Sequence, residues 1–260
     1  MNDKTKSIKQ KVQQQFSQHA QSYVTSSTHA KGSDLTLLQD WLEVNSTSIV
    51  LDIATGGGHV VKALAPHVAE VVATDLTYQM LEAARSHLNS SASNIFYVIA
   101  DAESLPFLEN TFDAVTCRIA PHHFPNPNIF IKEVSRVLKP GGKFILIDNI
   151  APEEKILDEF VNLLEKLRDV SHVRSYSVQE WTTWIEQADL TLVKSEHRKK
   201  TFNYPDWVSR TTTSEEQINT VDTHLLYASK AIQDYFSIES TDGNLQSFTI
   251  DEWMALIEKK

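Results

Sequence analysis

The chain is poor in cysteine, glycine and basic residues. Its single cysteine, Cys117, among 260 residues excludes an intramolecular disulfide and a multi-cysteine zinc site. A lone thiol also fits a reducing, cytoplasmic setting. The first fifteen residues, Met1 to Gln15, have no apolar core and do not read as a secretory signal. No apolar run approaches 18 residues, so no stable membrane insertion is expected. Lys and Arg number 24 against 34 Asp and Glu, a net charge of −10. That mean field repels phosphate and disfavours nucleic acid or an anionic membrane as a partner. The tightest basic run, Arg198-Lys199-Lys200 after His197, reads as a solvated strand end. Repeats, low-complexity tracts and long linkers are also missing. What remains is ordinary globular composition, 41% hydrophobic and 22% charged, in a chain long enough to bury a core without staples.

Only seven glycines occur, and five of them fall in two clusters, Gly56-Gly57-Gly58 and Gly141-Gly142. Glycine is needed where the backbone turns at positive φ or approaches something closely. The first cluster follows Ser48 to Ile53, a short β-branched run that reads as a buried parallel strand. A helical stretch, His59 to Ala65, follows and is stopped by Pro66. Strand, glycine turn and helix make the first half of a βαβ unit.

A second strand, Glu70 to Asp75, ends on a carboxylate 23 residues after Asp52. A third, Ile95 to Ala100, runs into Asp101. In an open α/β sheet the carboxyl ends of the strands line the ligand crevice, and an acid about 20 residues past the glycine turn holds ribose hydroxyls. Each Asp alone also reads as an N-cap. Three of them at βαβ spacing favour a ligand site.

The ligand is not expected to be a phosphate. A P-loop needs Lys and then Ser or Thr after its glycines, whereas His59 and Val60 stand there. The dinucleotide fingerprint needs a third small residue where Val61 stands. Asp52 beside the turn would repel a pyrophosphate, which argues against an NAD(P)-dependent oxidoreductase. It suits the sulfonium and α-amino groups of S-adenosylmethionine. A binding module without turnover is the other alternative.

Leu51-Asp52-Ile53-Ala54-Thr55-Gly56-Gly57-Gly58 resembles motif I of class I S-adenosylmethionine-dependent methyltransferases. Ala73 to Leu81 looks like the family's acidic second motif, and Ala100 to Phe107 like its adenine-binding segment. Thr111 to Arg118 looks like its fourth strand, and Glu133 to Gly142 like its fifth helix and turn. Over residues 45–150 the series most resembles the UbiE-like branch, related to ubiquinone and menaquinone C-methyltransferases. One departure is Ala54, where many members carry Gly; Ala suits the same approach if its φ is negative.

The resemblance implies a Rossmann-like, seven-stranded, mostly parallel sheet with helices on both faces and the last strand antiparallel. Helical additions would form a lid. It implies one domain: residues 1–45 a helical cover, 46–150 the cofactor core, 151–260 sheet completion and acceptor pocket. Ala54, Gly56 and Gly58, with Thr55 in the same turn, would meet the methionine part of the cofactor. Asp52 would orient its amino end through water, Asp75 would hold the ribose hydroxyls, and Leu76 and Met80 would sandwich the adenine. Asp101 would accept from the exocyclic amine and the Ala102 backbone would meet the ring. Glu103 is either a further contact or a solvated helix start.

Arg118 would lie beside the transferring methyl. His122 and His123 follow in a proline-flanked loop, and imidazole suits a general base at neutral pH. The alternative is that they pack and cap the helix Pro127 to Leu138. No third ligand is nearby, so no metal is expected. Phe16, Ala20 and Tyr23 share one face of an amphipathic helix. In related enzymes a leading helix lies over the cofactor, so Tyr23, His29 and Gly32 would help close the site; a plain packing stripe is the alternative.

Beyond residue 150 the reading is coarser. Glu153 to Asp169 is a helix with Ile156, Phe160, Leu163, Leu164 and Leu167 on one face. Ser177 to Ala188 is another, capped by Ser177. Thr191 to Glu196 reads as a strand and Pro205 to Phe236 as mostly helical. Gln246 to Lys260 is ambiguous by pattern and an antiparallel strand by resemblance. Trp181, Trp184 and Trp207 are expected in the core. Arg168, His172 and Arg174 would either bind an anionic or carbonyl-bearing acceptor or complement a helix dipole. The expected partner is a small molecule with a C- or O-nucleophile, quinone-like or phenolic, and a homodimer is allowed.

Overall fold

β-Branched runs that alternate with amphipathic stretches wind the chain into a sheet flanked by helices. The structure, a computed structural model, describes residues 3–25, 33–88 and 93–260. Two helices lead: α1 (Asp3–Thr25) and α2 (Ser33–Leu42). Then come β1 (Ile49–Ile53), α3 (His59–Leu64), β2 (Glu70–Asp75), α4 (Tyr78–Leu88), β3 (Ile95–Ile99) and β4 (Phe112–Arg118). A single 3-10 turn, Pro121–His123, precedes α5 (Pro127–Val137) and β5 (Leu138–Ile150). The second half holds α6 (Lys155–Arg168), α7 (Val178–Gln187), β6 (Leu190–Asn203), α8 (Tyr204–Val208), α9 (Glu215–Leu226), α10 (Lys230–Tyr235), β7 (Glu239–Thr241) and β8 (Asn244–Lys259).

The strands lie in the order β3-β2-β1-β4-β5-β8-β6, with short β7 hairpinned onto β8. The first five are parallel, and β8 runs antiparallel to both β5 and β6. The described residues thus carry one strand more than expected, and the addition is the three-residue β7. The chain runs outward from β1 to β3 and then returns to β4 on the other side of β1. This reversal is where an open α/β sheet leaves a ligand crevice.

One face of the sheet buries Phe112, Phe130, Phe144 and Trp181, and the other buries Leu38, Val61, Leu64 and Ile145. A third cluster, with Phe160, Trp207, Phe236 and Phe248, sits under the helices that follow β5. Two expectations fail here. On α6 the buried stripe is Leu157, Phe160, Val161 and Leu164, while Ile156 and Leu163 face outward at 55% and 49% exposure. The stripe begins one residue later than expected, at Leu157, and turns about Phe160, which packs against Phe236 and stacks on His224. The basic run on β6 is solvated on one face only: His197 and Lys199 are exposed, while Arg198 and Lys200 are not. Arg198 and Lys200 both bond Glu252 on β8, at 2.9 and 2.7 Å, and Lys199 reaches Asp251 at 2.8 Å. Period-two alternation sets 198 and 200 on one face, with Arg198 directly opposite Glu252. The Ser177 cap holds and is a full capping box, with the Glu180 carboxylate accepting the Ser177 N–H at 2.9 Å.

Candidate active site

A cavity of about 1050 Å³, open to solvent at its mouth, lies at the carboxyl ends of β1, β2 and β4, at the upper limit for small-molecule sites. The loop after β1 forms its floor. Gly56 has φ 56° and Gly58 φ 82°, the left-handed region that favours glycine. At Gly58 a Cβ would also lie 2.8 Å from Leu88 Cδ1, so glycine lets α3 start close against α4. Ala54 departs from expectation: its φ is +54°, not negative. The turn needs the left-handed conformation there, and this chain carries it on a residue with a Cβ, at a cost of about 1–2 kcal/mol.

Asp52, 2% exposed, has both oxygens occupied. The Thr116 hydroxyl donates to Oδ1 at 2.7 Å and the Thr55 hydroxyl to Oδ2 at 2.8 Å. Burial pushes its pKa up to about 6, only partly opposed by those hydroxyls. Asp75 accepts the Gly56 N–H at 3.1 Å and the Thr77 N–H at 2.9 Å, and burial likewise raises it to about 6. Leu76, Met80 and Ala102 complete the walls of this part. Asp101 accepts the Glu103 N–H at 3.0 Å and the Lys9 ammonium at 2.6 Å.

Glu103 is not a solvated helix start. Its carboxylate bonds Lys9 at 2.7 Å and accepts the Asn126 N–H at 2.6 Å, which fixes the entry to α5. Lys9, Val12 and Phe16 bring α1 across the cavity. Gln13 Nε2 donates to the Leu76 carbonyl at 3.0 Å and Ser17 Oγ to Gln79 at 3.2 Å. Phe16 is therefore part of the site and not a plain packing residue. The side chain of Tyr23, with His29 and Gly32, lies outside the described residues.

Arg118 lines the cavity and forms a buried ion pair with Asp34 of α2, in which each side chain is 6% exposed. The next residue, Ile119, has φ +53°, a genuine outlier for a β-branched side chain. Beyond it the structure brings His122 and His123 together, with ring centroids 4.3 Å apart. His122 Nδ1 lies 2.6 Å from Asp148 Oδ1 at the end of β5. Burial pulls the His122 pKa down, but Asp148, with Glu165 and Asp169, more than offsets it and the net shift is upward. His123 Nδ1 is 3.1 Å from the Ser171 carbonyl; burial and then the neighbouring His122 drive its pKa down to about 4.

His123, Phe16 and Ile119 also line a second cavity of about 560 Å³, which adjoins the first. His122 belongs to this second cavity only. Of the three residues around the end of α6, Arg168 lines it. His172 is bonded to Asn162 at 3.1 Å, and Arg174 to Asp158 at 2.8 Å. Trp181 and Trp184 pack in the core as expected. Trp207 is buried against Phe248 at 4.6 Å yet also forms part of the second cavity. Sequence reasoning missed Lys9, Asp34, Asp148, Lys200 and Arg210. For Asp148 a signal existed, since it is one more Asp at the end of a strand.

Residues 51–146 match a family model described as a methyltransferase domain. The uncharacterized methyltransferase YcgJ of Bacillus subtilis is 38% identical over 224 residues, 86% of this chain and 88% of that protein. The chain belongs to the methyltransferase family. The crystal structure of YcgJ superposes with a TM-score of 0.84, covering 87% of this methyltransferase and 97% of that chain at 36% identity. The ubiquinone/menaquinone biosynthesis C-methyltransferase UbiE of Saccharophagus degradans is 35% identical over 121 residues, 45% of this chain and 49% of that protein. The methyltransferase depends on S-adenosylmethionine. The larger cavity fits that cofactor: its strand ends present the buried carboxylates of Asp52 and Asp75, acceptors suited to an ammonium and a diol and unsuited to a pyrophosphate.

Proposed function

We propose that the methyltransferase acts on a small molecule with a hydroxyl or activated-carbon nucleophile, bound in the smaller cavity, with His122 as general base. The observation that carries this reading is the His122–Asp148 pair in the wall of a cavity that adjoins the cofactor cavity. Asp148 fixes the ring through Nδ1 and leaves Nε2 to take the acceptor's proton. His123, held neutral by burial, separates the two cavities and acts as a wall and positioning residue.

S-adenosylmethionine supplies an electrophilic methyl carbon whose bonding pair stays on sulfur, giving S-adenosylhomocysteine. Within the larger cavity Asp75 holds the ribose hydroxyls and Asp52 the amino end, beside the Ala54-Thr55-Gly56 backbone and Gly58. Leu76 and Met80 flank the adenine, with Asp101 and Ala102 at its edge. Lys9 keeps the Asp101 carboxylate in place for that contact. Arg118, braced by Asp34, positions the β4 end beside the methyl. Residues 1–45, 46–150 and 151–260 serve as cover, cofactor core and acceptor-pocket additions of one domain.

Calorimetry with S-adenosylhomocysteine and NADH tests the cofactor site. Micromolar binding of the first and none of the second is expected. Asp75→Ala should weaken binding by about 1–3 kcal/mol through lost charged hydrogen bonds. Unchanged affinity in a folded Asp75→Ala protein removes Asp75 from the ribose site. Turnover on a panel of phenolic and quinone-like acceptors, wild type against His122→Ala, tests the base.

A further inference from the structure

Buried polar atoms in folded proteins are nearly always hydrogen-bonded, so each exception calls for a physical reason. Among the described residues only two buried side-chain oxygens lack a partner, Glu165 Oε1 and Asn149 Oδ1. They come from different elements, α6 and β5, yet both residues line the smaller cavity. Glu165 is 4% exposed and Asn149 9%.

Both residues are held in place through their other atoms. Glu165 Oε2 accepts from the Arg168 guanidinium at 2.8 Å, which itself lies 4.3 Å over the Trp207 ring. The Asn149 backbone N–H donates at 3.0 Å to Asp148 Oδ1, the oxygen that faces His122 Nδ1. Glu165 is also close enough to His122 to help raise its pKa. The two oxygens and the base therefore belong to one wall. A carboxylate accepts hydrogen bonds and does not donate them, so Glu165 fixes the sign of the complementary group as a donor. The ring faces of Phe16, Phe202 and Trp207 in the same lining suit a flat apolar body.

We propose that Glu165 and Asn149 are specificity residues of the acceptor site, and that they select an aromatic acceptor with a second donor group. One donor is the hydroxyl presented to His122. The other, an O–H or N–H, anchors the molecule on Glu165 Oε1, with Asn149 Oδ1 as a further acceptor. This rests on the reading that the smaller cavity holds the acceptor. A molecule that lacks the second donor seals the Glu165 oxygen away from water with nothing to bond. A site built on buried polar groups rejects an analogue for that reason, more strongly than an apolar pocket rejects a change of size.

The test is calorimetry on the full chain saturated with S-adenosylhomocysteine. The probes are phenols that carry a second hydroxyl, an amine or a fluorine, each at the ortho, meta and para positions. At the position that reaches Glu165, the hydroxy and amino probes should bind about tenfold tighter than the fluoro probe of similar size, or more. Glu165→Gln turns its amide oxygen to Arg168 and its N–H toward the ligand, so the preference should vanish. Asn149→Leu should narrow the preference several-fold and leave the urea midpoint unchanged or higher, because an apolar group replaces an unpaired buried oxygen. This second variant decides the matter if Glu165→Gln does not fold. Equal binding of all probes at every position overturns the proposal, and is the result that a water trapped on both oxygens would give. A preference that no folded variant alters overturns it as well. Turnover separates these outcomes from those of the reading beneath. Probes methylated without regard to the second donor sink the specificity role alone. A donor preference without methylation sinks the base assignment alone. Binding of no probe at millimolar concentration sinks both.

Discussion

One carboxylate holds His122 from two directions: Asp148 Oδ1 lies 2.6 Å from Nδ1 of the ring, and Oδ2 accepts the His122 backbone N–H at 2.8 Å. The carboxylate selects the tautomer and raises the ring's pKa against the downward pull of burial. A base works in its neutral form, so kcat should rise with pH through a value above the ordinary 6.5 of histidine. Asp148→Asn removes the charge, so the rising limb should move to lower pH while the plateau falls by about 10²-fold or more. A kcat–pH profile of both proteins reads this; an unmoved limb would mean that Asp148 serves only the fold.

The two adjacent histidines should separate cleanly. His122→Ala should cost about 10²–10⁴-fold in kcat, the usual worth of a positioned base. His123 is neutral at working pH because its pKa is driven down to about 4, so His123→Gln should leave the pH limb where it is. Single-turnover rates across pH for both variants decide the matter. A limb that disappears with His123 and survives without His122 reverses the roles.

Asp52 and Asp75 make a pH prediction of definite sign. Their pKa values in the folded protein are raised to about 6 from an ordinary 3.8. A raised carboxylate stabilises the fold below its unfolded value and loses that contribution as pH climbs through the folded one. The ligand-free protein should therefore gain stability from these two groups as pH falls from about 6 toward 4. A ligand that brings its ammonium to Asp52 and its ribose hydroxyls to Asp75 needs both ionised, so S-adenosylhomocysteine affinity should fall over the same window. Thermal unfolding with and without ligand at pH 5 and pH 7.5 compares the two. Affinity that is constant with pH would place the ligand's cation elsewhere.

Ala54→Gly should stabilise the protein by about 1 kcal/mol, because the left-handed backbone that strains alanine costs glycine nothing. The gain is net of glycine's larger entropy in the unfolded chain. Urea unfolding with an unchanged slope and a higher midpoint is the expected result. A lower midpoint would show that Ala54 packs more than it strains.

Asp34→Ala leaves the Arg118 guanidinium without its carboxylate partner in a site where both side chains are 6% exposed. Removing one member of a buried pair costs about 3–5 kcal/mol. The same urea experiment measures it, and a loss below about 1 kcal/mol would mean that solvent or cofactor already compensates Arg118.

The parallel half of the sheet was legible because its information is local. Strand, glycine turn and strand-end acid recur within a few tens of residues, so Asp52, Asp75 and Asp101 could be placed before any contact was known. The contacts that brace them were not legible. Lys9 meets Asp101 across 92 residues and Arg118 meets Asp34 across 84, and no periodicity records such pairings. β8 was ambiguous for another reason. From Phe248 to Ile257 every residue is buried, including Asp251 and Glu252, because the strand is covered on both faces. Alternation, the usual mark of a strand, is then lost. The positive φ of Ala54 was hidden because composition reports which residue stands in a turn and not the conformation the turn demands.

The position of β8 between β5 and the edge strand β6 bears on the order in which this molecule can be made. Its partners, β5 and β6, are built from residues 138–150 and 190–203, yet they are joined only when residues 244–259 arrive between them. During synthesis from the N-terminus, the nascent chain therefore presents two unsatisfied strand edges until that segment has emerged. A chain interrupted before residue 244 would keep both edges open, so fragments of this protein should be far more prone to self-association than the finished molecule.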